Sequence, residues 1–203
     1  MQIRTKRLTL CKFTINDAPF FYNLANDPDW IKYIGNRNIK TIINAEKYLK
    51  KNIIPSYEKF GFGFYVVRLT EENTPIGMCG LIKRDWMDYV EIGYAFLSPF
   101  RGKGYAIESS IATKKYAKEE LKIDSLAAIT DIDNEKSGNL LNRLGFKFSK
   151  LISYPGEDKK CKLYLEDYLT SNDVNWNESP LNKPLSDSFK DGITNNAIND
   201  KLM

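Results

Sequence analysis

The segment EIGYAFLSPFRGKGYAIESSIA, from Glu91 to Ala112, constrains the fold more than any other part of the sequence. An apolar run of strand type is followed by Pro99, Gly102 and Gly104, and then by a long stretch with apolar residues at helical spacing. This order predicts a strand, a tight turn and a helix. The N-terminus of such a helix offers free backbone N–H groups and the positive end of the helix dipole to an anion.

The residues of the turn indicate the class of anion that it would bind. Glycine at positions 102 and 104 lets the main chain approach a phosphate without a Cβ in the way. Arg101 and Lys103 add positive charge at the same place. The turn lacks both the GxxxxGK[ST] pattern of a P-loop and the third glycine of GxGxxG. The residues therefore predict a diphosphate cradle, and the alternative is an ordinary basic glycine turn.

The chain has 203 residues and contains no histidine. This absence excludes Ser-His-Asp and Cys-His triads, histidine bases and histidine metal sites. The three cysteines, Cys11, Cys79 and Cys161, are odd in number and lack zinc spacing, so we expect neither a disulfide framework nor a bound metal. No apolar run is long enough to span a membrane and the N-terminus lacks the core of a signal peptide, so we expect a cytoplasmic protein.

The composition of the chain changes at about residue 170. Residues 1–170 alternate strand-like and helix-like runs without a Pro/Gly-rich linker, which predicts one domain. Residues 171–203 form a polar tail in which Asn, Asp and Ser supply 15 of 33 residues, so we expect this tail to be disordered or loosely docked. The chain carries a net charge of +4, and residues 1–170 carry +6. Because the basic residues are scattered, we do not expect nucleic-acid binding.

Hydrophobic periodicity predicts six to seven strands and four helices in residues 1–170. The strand ranges are 7–13, 62–69, 76–82, 90–97, 126–130, 146–149 and 161–165. The helices begin after Thr14, at 41 or 44, at about 104 and at about 137. Asp27 and Pro28 are expected to end the first helix, the stretch Trp30–Ile34 to form an aromatic-rich connector, and the second helix to run to about residue 58.

Several motifs occur in order between about residues 3 and 168. They are TKRLTLCKF at 5–13, NDP at 26–28, GFGFYVV at 61–67, PIGMCGL at 75–81, EIGYAF at 91–96, RGKGYA at 101–106 and NEKSGNLLNRLGF at 134–146. Together these motifs resemble the GNAT superfamily of acetyl-CoA-dependent N-acetyltransferases. Within it they resemble the Rim-type branch, which acetylates ribosomal proteins and N-terminal alanine or serine. The resemblance implies an α/β (α+β) GNAT fold, with a mixed, mostly antiparallel sheet and helices on both faces.

By this resemblance the ligand of the cradle is acetyl-CoA, with its pyrophosphate on the main chain of the turn. The pantetheine arm would lie along the strand at 90–97 like an added strand, where backbone groups can also polarise the thioester carbonyl. The implied cofactor contacts are Ala95, Phe96, Leu97, Arg101, Gly102, Lys103, Gly104, Tyr105, Ala106, Asn134 and Ser137. From the residues alone, Asn134 and Ser137 could instead cap the following helix.

The expected reaction needs a group that takes a proton from the acceptor ammonium. Glu91 is the candidate base, directly or through water, because strand alternation places it on the same face as Gly93 and Ala95. The alternative is that Glu91 orders loops or pairs with an arginine. Ser137 is the candidate acid for the leaving thiolate, because Leu141 stands where many family members have a tyrosine. Water, or unassisted departure of the thiolate, is the alternative to Ser137.

The acceptor site is implied to lie between the first two helices, their connector and the loops before the strand at 90 and after the strand at 146. Its predicted lining is Trp30, Tyr33, Asn36, Trp86 and Asp88. We expect direct attack by a primary amine without an acetyl-enzyme, since all three cysteines lie away from the turn and from Glu91 in the sequence. Branch similarity favours a protein N-terminus. An amino sugar, a polyamine or a non-catalytic CoA-binding regulator are the alternatives, and the chain is a monomer or a homodimer.

Overall fold

The computed structural model describes residues 2–166. Its strands are β1 (Gln2–Arg4), β2 (Leu8–Lys12), β3 (Phe64–Leu69), β4 (Pro75–Lys83), β5 (Val90–Phe96), β6 (Leu126–Asp131), β7 (Phe146–Ser153) and β8 (Lys160–Glu166). Its α-helices are α1 (Ala18–Ala25), α2 (Pro28–Tyr33), α3 (Ile42–Tyr48), α4 (Ser56–Lys59), α5 (Tyr105–Glu119) and α6 (Glu135–Arg143). The predictions for the tail at 171–203 lie outside the described residues.

The described strands form one sheet in the order β1-β2-β3-β4-β5-β6-β8-β7. Every neighbouring pair is antiparallel except β5 and β6, which are parallel. The predicted mixed, mostly antiparallel sheet is confirmed, with one strand more than expected. The additional strand is β1, whose three residues are too few to show an alternating pattern. It pairs with β2 through the tight turn at Thr5, whose N–H donates to the carbonyl of Leu8 at 2.9 Å.

Helices cover both faces of the sheet. On one face, α5 buries small polar residues against β4, where Cys79 Sγ lies 3.4 Å from Thr113 Oγ1. On the opposite face, Met78 and Ile82 of β4 belong to the largest buried cluster together with residues of α1 and α3. Because residues alternate between the faces of a strand, Tyr94, which pairs with Cys79, lies on the α5 face. Glu91 lies on the face of α1–α4.

Two predicted boundaries are wrong, and both involve proline. The expected connector at Trp30–Ile34 is largely the helix α2, because Asp27 accepts a hydrogen bond from the N–H of Asp29 as N-cap and Pro28 occupies the first helical position. The single helix expected to run to about residue 58 is α3, a π-helical turn at Leu49–Ile53 and α4, with Pro55 between the last two.

Candidate functional site

The sheet opens between β5 and β6. These parallel strands pair only through the first two residues of each, Val90–Glu91 and Leu126–Ala127. Since β5 remains paired with β4 along its whole length, it is β6 that diverges. The gap continues into a cavity of about 660 Å³ that β5, β6, α2, α6 and the loop before α5 line. The open edge of β5 is the place where the resemblance implies that the pantetheine arm lies.

The loop between β5 and α5 forms one wall of this cavity. Gly102 and Gly104 have φ of +72° and +82°, the left-handed region that disfavours residues with a Cβ. Gly104 is the N-cap of α5 and brings no capping side chain to the first amides of the helix. Both glycines line the cavity together with Tyr105 and Ala106. The arrangement offers backbone N–H donors to an anion, as the sequence predicts. A Cβ built on Gly102 would meet no atom within 4 Å, so this position faces open space.

The N-terminal hairpin braces this loop. Arg7 Nη1 donates to the carbonyl of Lys103 at 3.0 Å, and the Arg7 guanidinium lies 4.5 Å from the centre of the Tyr105 ring. Glu108, in the first turn of α5, accepts hydrogen bonds from Thr5 Oγ1 at 2.6 Å and from Arg7 Nε at 2.7 Å. Burial alone would raise the pKa of Glu108, but the hydrogen bonds from Thr5 and Arg7 hold it below its usual value.

The two basic side chains of the loop, Arg101 and Lys103, contact other groups of the protein. Arg101 donates to the carbonyl of Phe96 and pairs with Asp27 and Asp29. Lys103 is exposed, lies outside the cavity lining, and places Nζ 5.7 Å from the centre of the Phe100 ring. Of the two positive side chains expected at the cradle, Arg101 is half-buried and paired with carboxylates, and Lys103 is exposed. The backbone N–H groups of the loop remain the predicted anion donors.

The backbone of β5 faces the gap at alternate residues. Leu97 N–H donates to the carbonyl of Ile76 at 3.0 Å, which directs the backbone groups of Leu97 towards the neighbouring strand β4. Since these groups change sides at each residue of a strand, those of Ala95 also face β4, and those of Tyr94 and Phe96 face the gap. Among the three backbone contacts implied by the resemblance, Phe96 faces the gap. Ala95 lines the cavity, and Leu97 lies outside its lining.

Ser137 and Tyr94 meet at the α6 side of the cavity. Tyr94 Oη lies 2.9 Å from Ser137 Oγ, and both residues line the cavity. Burial raises the pKa of Tyr94 well above its usual value, so its hydroxyl keeps its proton. Asn134 Oδ1 accepts from Ser137 N–H at 3.1 Å and caps α6, while its residue also lines the cavity. Leu141 is 1% exposed and belongs to a buried apolar cluster.

Glu91 pairs with Arg84 inside the cavity wall. Glu91 Oε2 accepts from Arg84 Nε, and the two side chains are 6% and 7% exposed. The Arg84 guanidinium lies 5.0 Å from the centre of the Tyr154 ring and 5.7 Å from that of the Trp86 ring. The arginine pairing that the sequence left as an alternative for Glu91 is thus present. Its role as a base stays a prediction.

The predicted acceptor residues divide into two groups. Trp30 and Tyr33 of α2 line the cavity, and Trp86 packs edge-on against its lining residue Tyr154 with ring centres 5.5 Å apart. Asn36 and Asp88 are exposed and lie outside the lining that the described residues form.

Residues distant in the sequence complete this part of the cavity. Polar and aromatic lining residues that the sequence did not single out for it include Arg37, Tyr48, Arg84 and Tyr154. No motif marks them, because they come from the α2–α3 loop, α3, the β4–β5 loop and the β7–β8 loop. The expected slot with one or two acids also contains two arginines.

One cysteine lies closer to the site than expected. Cys161 of β8 lines the cavity, although the sequence placed all three cysteines away from it. Burial raises the pKa of Cys161, and the neighbouring Asp131 raises it further, so the thiol stays neutral. A neutral thiol is a poor nucleophile, and direct transfer to the amine is still expected.

Among residues 2–166, no cluster of three or more Cys, Asp or Glu is arranged to hold a metal ion. No helix there is both long and apolar enough to cross a bilayer.

Comparisons with known proteins agree on the kind of domain. The model of the acetyltransferase (GNAT) domain matches residues 7–147. The uncharacterised N-acetyltransferase YnaD of Bacillus subtilis (strain 168) is 29% identical over 147 residues, which are 72% of this chain and 83% of that protein.

Solved structures share the fold at low sequence identity. RimL, a ribosomal L7/L12 α-N-protein acetyltransferase solved with coenzyme A, is 17% identical with a TM-score of 0.69, over 81% of this chain and 97% of that one. A chimera of the spermidine N-acetyltransferase SpeG from Vibrio cholerae and hSSAT is 18% identical with a TM-score of 0.64, over 79% of this chain and 95% of that one.

Proposed function

Because the chain belongs to the GNAT acetyltransferase family, we propose that it transfers an acetyl group from acetyl-CoA to the N-terminal amine of a protein or peptide. The observation that carries this proposal is one continuous cavity. It joins the glycine loop before α5, the open edge of β5 and the aromatic residues of α2. A donor with a diphosphate and a long amide-containing arm fits the first two parts. The third part leaves room for an amine.

The residues of the first two parts would hold acetyl-CoA. The amides from Gly102 to Ala106 would bind the diphosphate, with the N-terminus of α5 adding its dipole. The gap-facing backbone groups of Tyr94 and the N–H of Phe96 would bind the amides of the pantetheine arm as an added strand does, while the Phe96 carbonyl accepts from Arg101. Acetyl-CoA supplies an already activated thioester, so the remaining tasks of the protein are to position the amine and to remove its proton.

Glu91 is the proposed proton acceptor. It is the buried carboxylate of β5 in the cavity, at the point where the strands separate. Arg84 fixes one carboxylate oxygen, which orients the group for transfer directly or through a water molecule. Ser137, together with Tyr94, is the proposed donor of a proton to the leaving sulfur, because their hydroxyls adjoin at 2.9 Å.

The charges of the cavity disfavour a polyamine as acceptor. Four carboxylates line it, and three of them are already ion-paired: Asp29 with Arg101, Glu91 with Arg84, and Asp131 with Lys159. A polyamine needs several carboxylates able to accept its ammonium groups, and it is repelled by the arginines of the wall. A peptide N-terminus brings one ammonium and backbone amides, and this suits a half-polar, aromatic slot better.

The test is transfer to a panel of amines by the full chain. Release of the CoA thiol and the mass of the product are measured with peptides that have a free N-terminus, the same peptides with a blocked N-terminus, spermidine and an amino sugar. We expect acetylation of the free peptides only. Glu91→Gln is expected to lower the rate by about 100-fold or more, the range of general-base catalysis, without changing CoA binding.

Other outcomes would contradict the proposal. Faster transfer to spermidine or to the sugar would assign the protein to small amines. CoA binding without thiol release for every amine would favour the non-catalytic regulator.

A further inference from the structure

The Arg101 side chain makes three separate attachments. Nε donates to the carbonyl of Phe96 at 2.8 Å, and Nη1 donates to Asp29 Oδ2 at 2.6 Å. Nη2 pairs with Asp27 Oδ1. The guanidinium of arginine is planar and carries five fixed N–H donors, so a set of contacts spread around its edge fixes its position.

These partners belong to two different parts of the site. Phe96 is the last residue of β5, at the open end of the gap. Asp27 and Asp29 lie at the start of α2. Asp27 is 7% exposed and also accepts from Asp29 N–H as the N-cap of the helix. Trp30 of the same helix lines the acceptor side of the cavity. Arg101 thus links the loop before α5 to the wall that receives the amine.

The charges argue against a second role for this side chain. One guanidinium faces two carboxylates, and Asp27 is buried, so withdrawing Arg101 towards a phosphate would leave an unpaired buried anion. Leaving a buried charge without its partner is strongly destabilising. A diphosphate would also approach two carboxylates of its own sign. The backbone of the loop can bind a diphosphate without moving the side chain.

We infer that Arg101 is a positioning residue that fastens α2, and with it the acceptor wall, to the loop before α5. This inference rests on the proposed function. It assigns the arginine of the RGKGYA motif to the acceptor side of the reaction, although it stands in the loop proposed to bind the cofactor. It also couples the two substrate sites, because the loop that would bind the diphosphate holds the helix that contacts the amine.

The test compares Arg101→Met with Asp27→Asn. Asparagine caps a helix as well as aspartate does, so Asp27→Asn removes the ion pair of Arg101 with the buried carboxylate, leaves its pair with Asp29, and keeps the cap. We expect each variant to raise the KM for the acceptor by about tenfold or more, since small displacements of binding groups have effects of this size. The Kd for CoA, measured by calorimetry, should change less than about threefold. The double variant should be no worse than Arg101→Met, because both changes break the same contact.

A phosphate-binding role makes the opposite prediction. Arg101→Met would then weaken CoA binding by about tenfold or more, the value of a charged hydrogen bond, while Asp27→Asn would not. That result, or an unchanged acceptor KM in Asp27→Asn, would overturn the inference. Glu72→Gln, an exposed carboxylate in the β3–β4 turn, is the matched control and should change neither constant.

Hydrogen exchange separates this inference from the proposed function. If no amine is acetylated by the unmodified chain, the proposed function fails, and the amides of α2 still report on the link. They should exchange faster in both Arg101→Met and Asp27→Asn than in Glu72→Gln, and unchanged exchange would overturn the inference. Arg101→Lys keeps one ion pair without the fork. It should show an intermediate effect if Arg101→Met does not fold.

Discussion

Glu91, the proposed base, also forms a buried ion pair with Arg84. The two residues are buried together, seven positions apart in the sequence, across the β4–β5 hairpin. Removing either would leave an uncompensated charge in the cavity wall. The ion pair therefore fixes the position of the Glu91 carboxylate, as a base requires. For the same reason, loss of activity in a Glu91 variant has to be compared with a measurement of the variant's stability.

Ser137 and Tyr94 allow a sharper test, because both hydroxyls can be removed without exposing a charge. If they protonate the leaving sulfur together, Ser137→Ala and Tyr94→Phe should each lower kcat by about 10–100-fold, the lower range of general-acid catalysis. The double variant should match the slower single variant, as expected of groups that act as a unit. Stopped-flow release of the CoA thiol measures kcat, and calorimetry should show the same Kd for CoA.

The control for this pair is Ser149→Ala, which removes an exposed hydroxyl on β7. It should leave both constants unchanged. An unchanged kcat in Ser137→Ala would show that the thiolate leaves without a proton from this side chain.

At the scale of elements, the sequence predicts what local pattern determines. The strand, glycine turn and long helix from Glu91 onward are placed within a residue or two of β5 and α5, because alternation, glycine and helical spacing are all local signals. The helix α2 was missed, because Asp27-Pro28 can either end a helix or begin one, and here it begins one.

The contacts of the site are less predictable than its elements. Arg101 finds Asp27 and Asp29 more than 70 residues earlier in the chain. Arg84 and Tyr154 meet through separate hairpins, and no spacing rule joins them. Motifs therefore located the loop and its glycines, but the partners of its charged side chain depend on tertiary packing.

The contact between the N-terminal hairpin and α5 predicts a pH dependence of stability. The pKa of Glu108 is below its ordinary value of 4.5 in the folded chain, through the hydrogen bonds from Thr5 and Arg7 that overcome its burial. A lowered carboxyl pKa stabilises the fold above pH 4.5, and this contribution disappears as the pH falls through the folded value. Glu108→Gln should therefore reduce the free energy of unfolding by about 1 kcal/mol at pH 7.

Urea denaturation at several pH values measures this difference. The gap between Glu108→Gln and the unmodified chain should shrink steadily below pH 4.5. Glu119→Gln is the control, since Glu119 belongs to an exposed pair with Lys115 and should change stability little at any pH. A gap that is constant with pH would mean that Glu108 acts through packing and not through its charge.

For the whole molecule, the fold places the proposed sites of both substrates at one discontinuity in the sheet. β5 stays attached to β4 while β6 turns away to pair with β8. The glycine loop before α5 then lies at the open end. Arg7 of the N-terminal hairpin contacts this loop, and Arg101 of the loop contacts α2. Binding of CoA should therefore report on the integrity of the whole arrangement.

Gly104→Val tests that arrangement through ligand-linked stability. A ligand present at 100 times its Kd stabilises a protein by about 2.7 kcal/mol, which corresponds to about 5–10 °C in Tm for a domain of this size. Gly104 has φ of +82°, and a Cβ there would lie 3.2 Å from Arg7 Nη2. Valine at this position should distort the loop and abolish most of the shift that CoA produces in the unmodified chain, measured by thermal melting.

Gly61→Val is the matched control for the backbone strain of this substitution. Gly61 has φ of +79°, has no atom within 4 Å of a built Cβ, and precedes β3 outside the lining of the cavity. Both variants should melt at lower temperature without ligand, because valine is strained in the left-handed region. Only Gly61→Val should retain the full CoA-induced shift. An equal shift in both variants would mean that the loop before α5 does not bind the diphosphate.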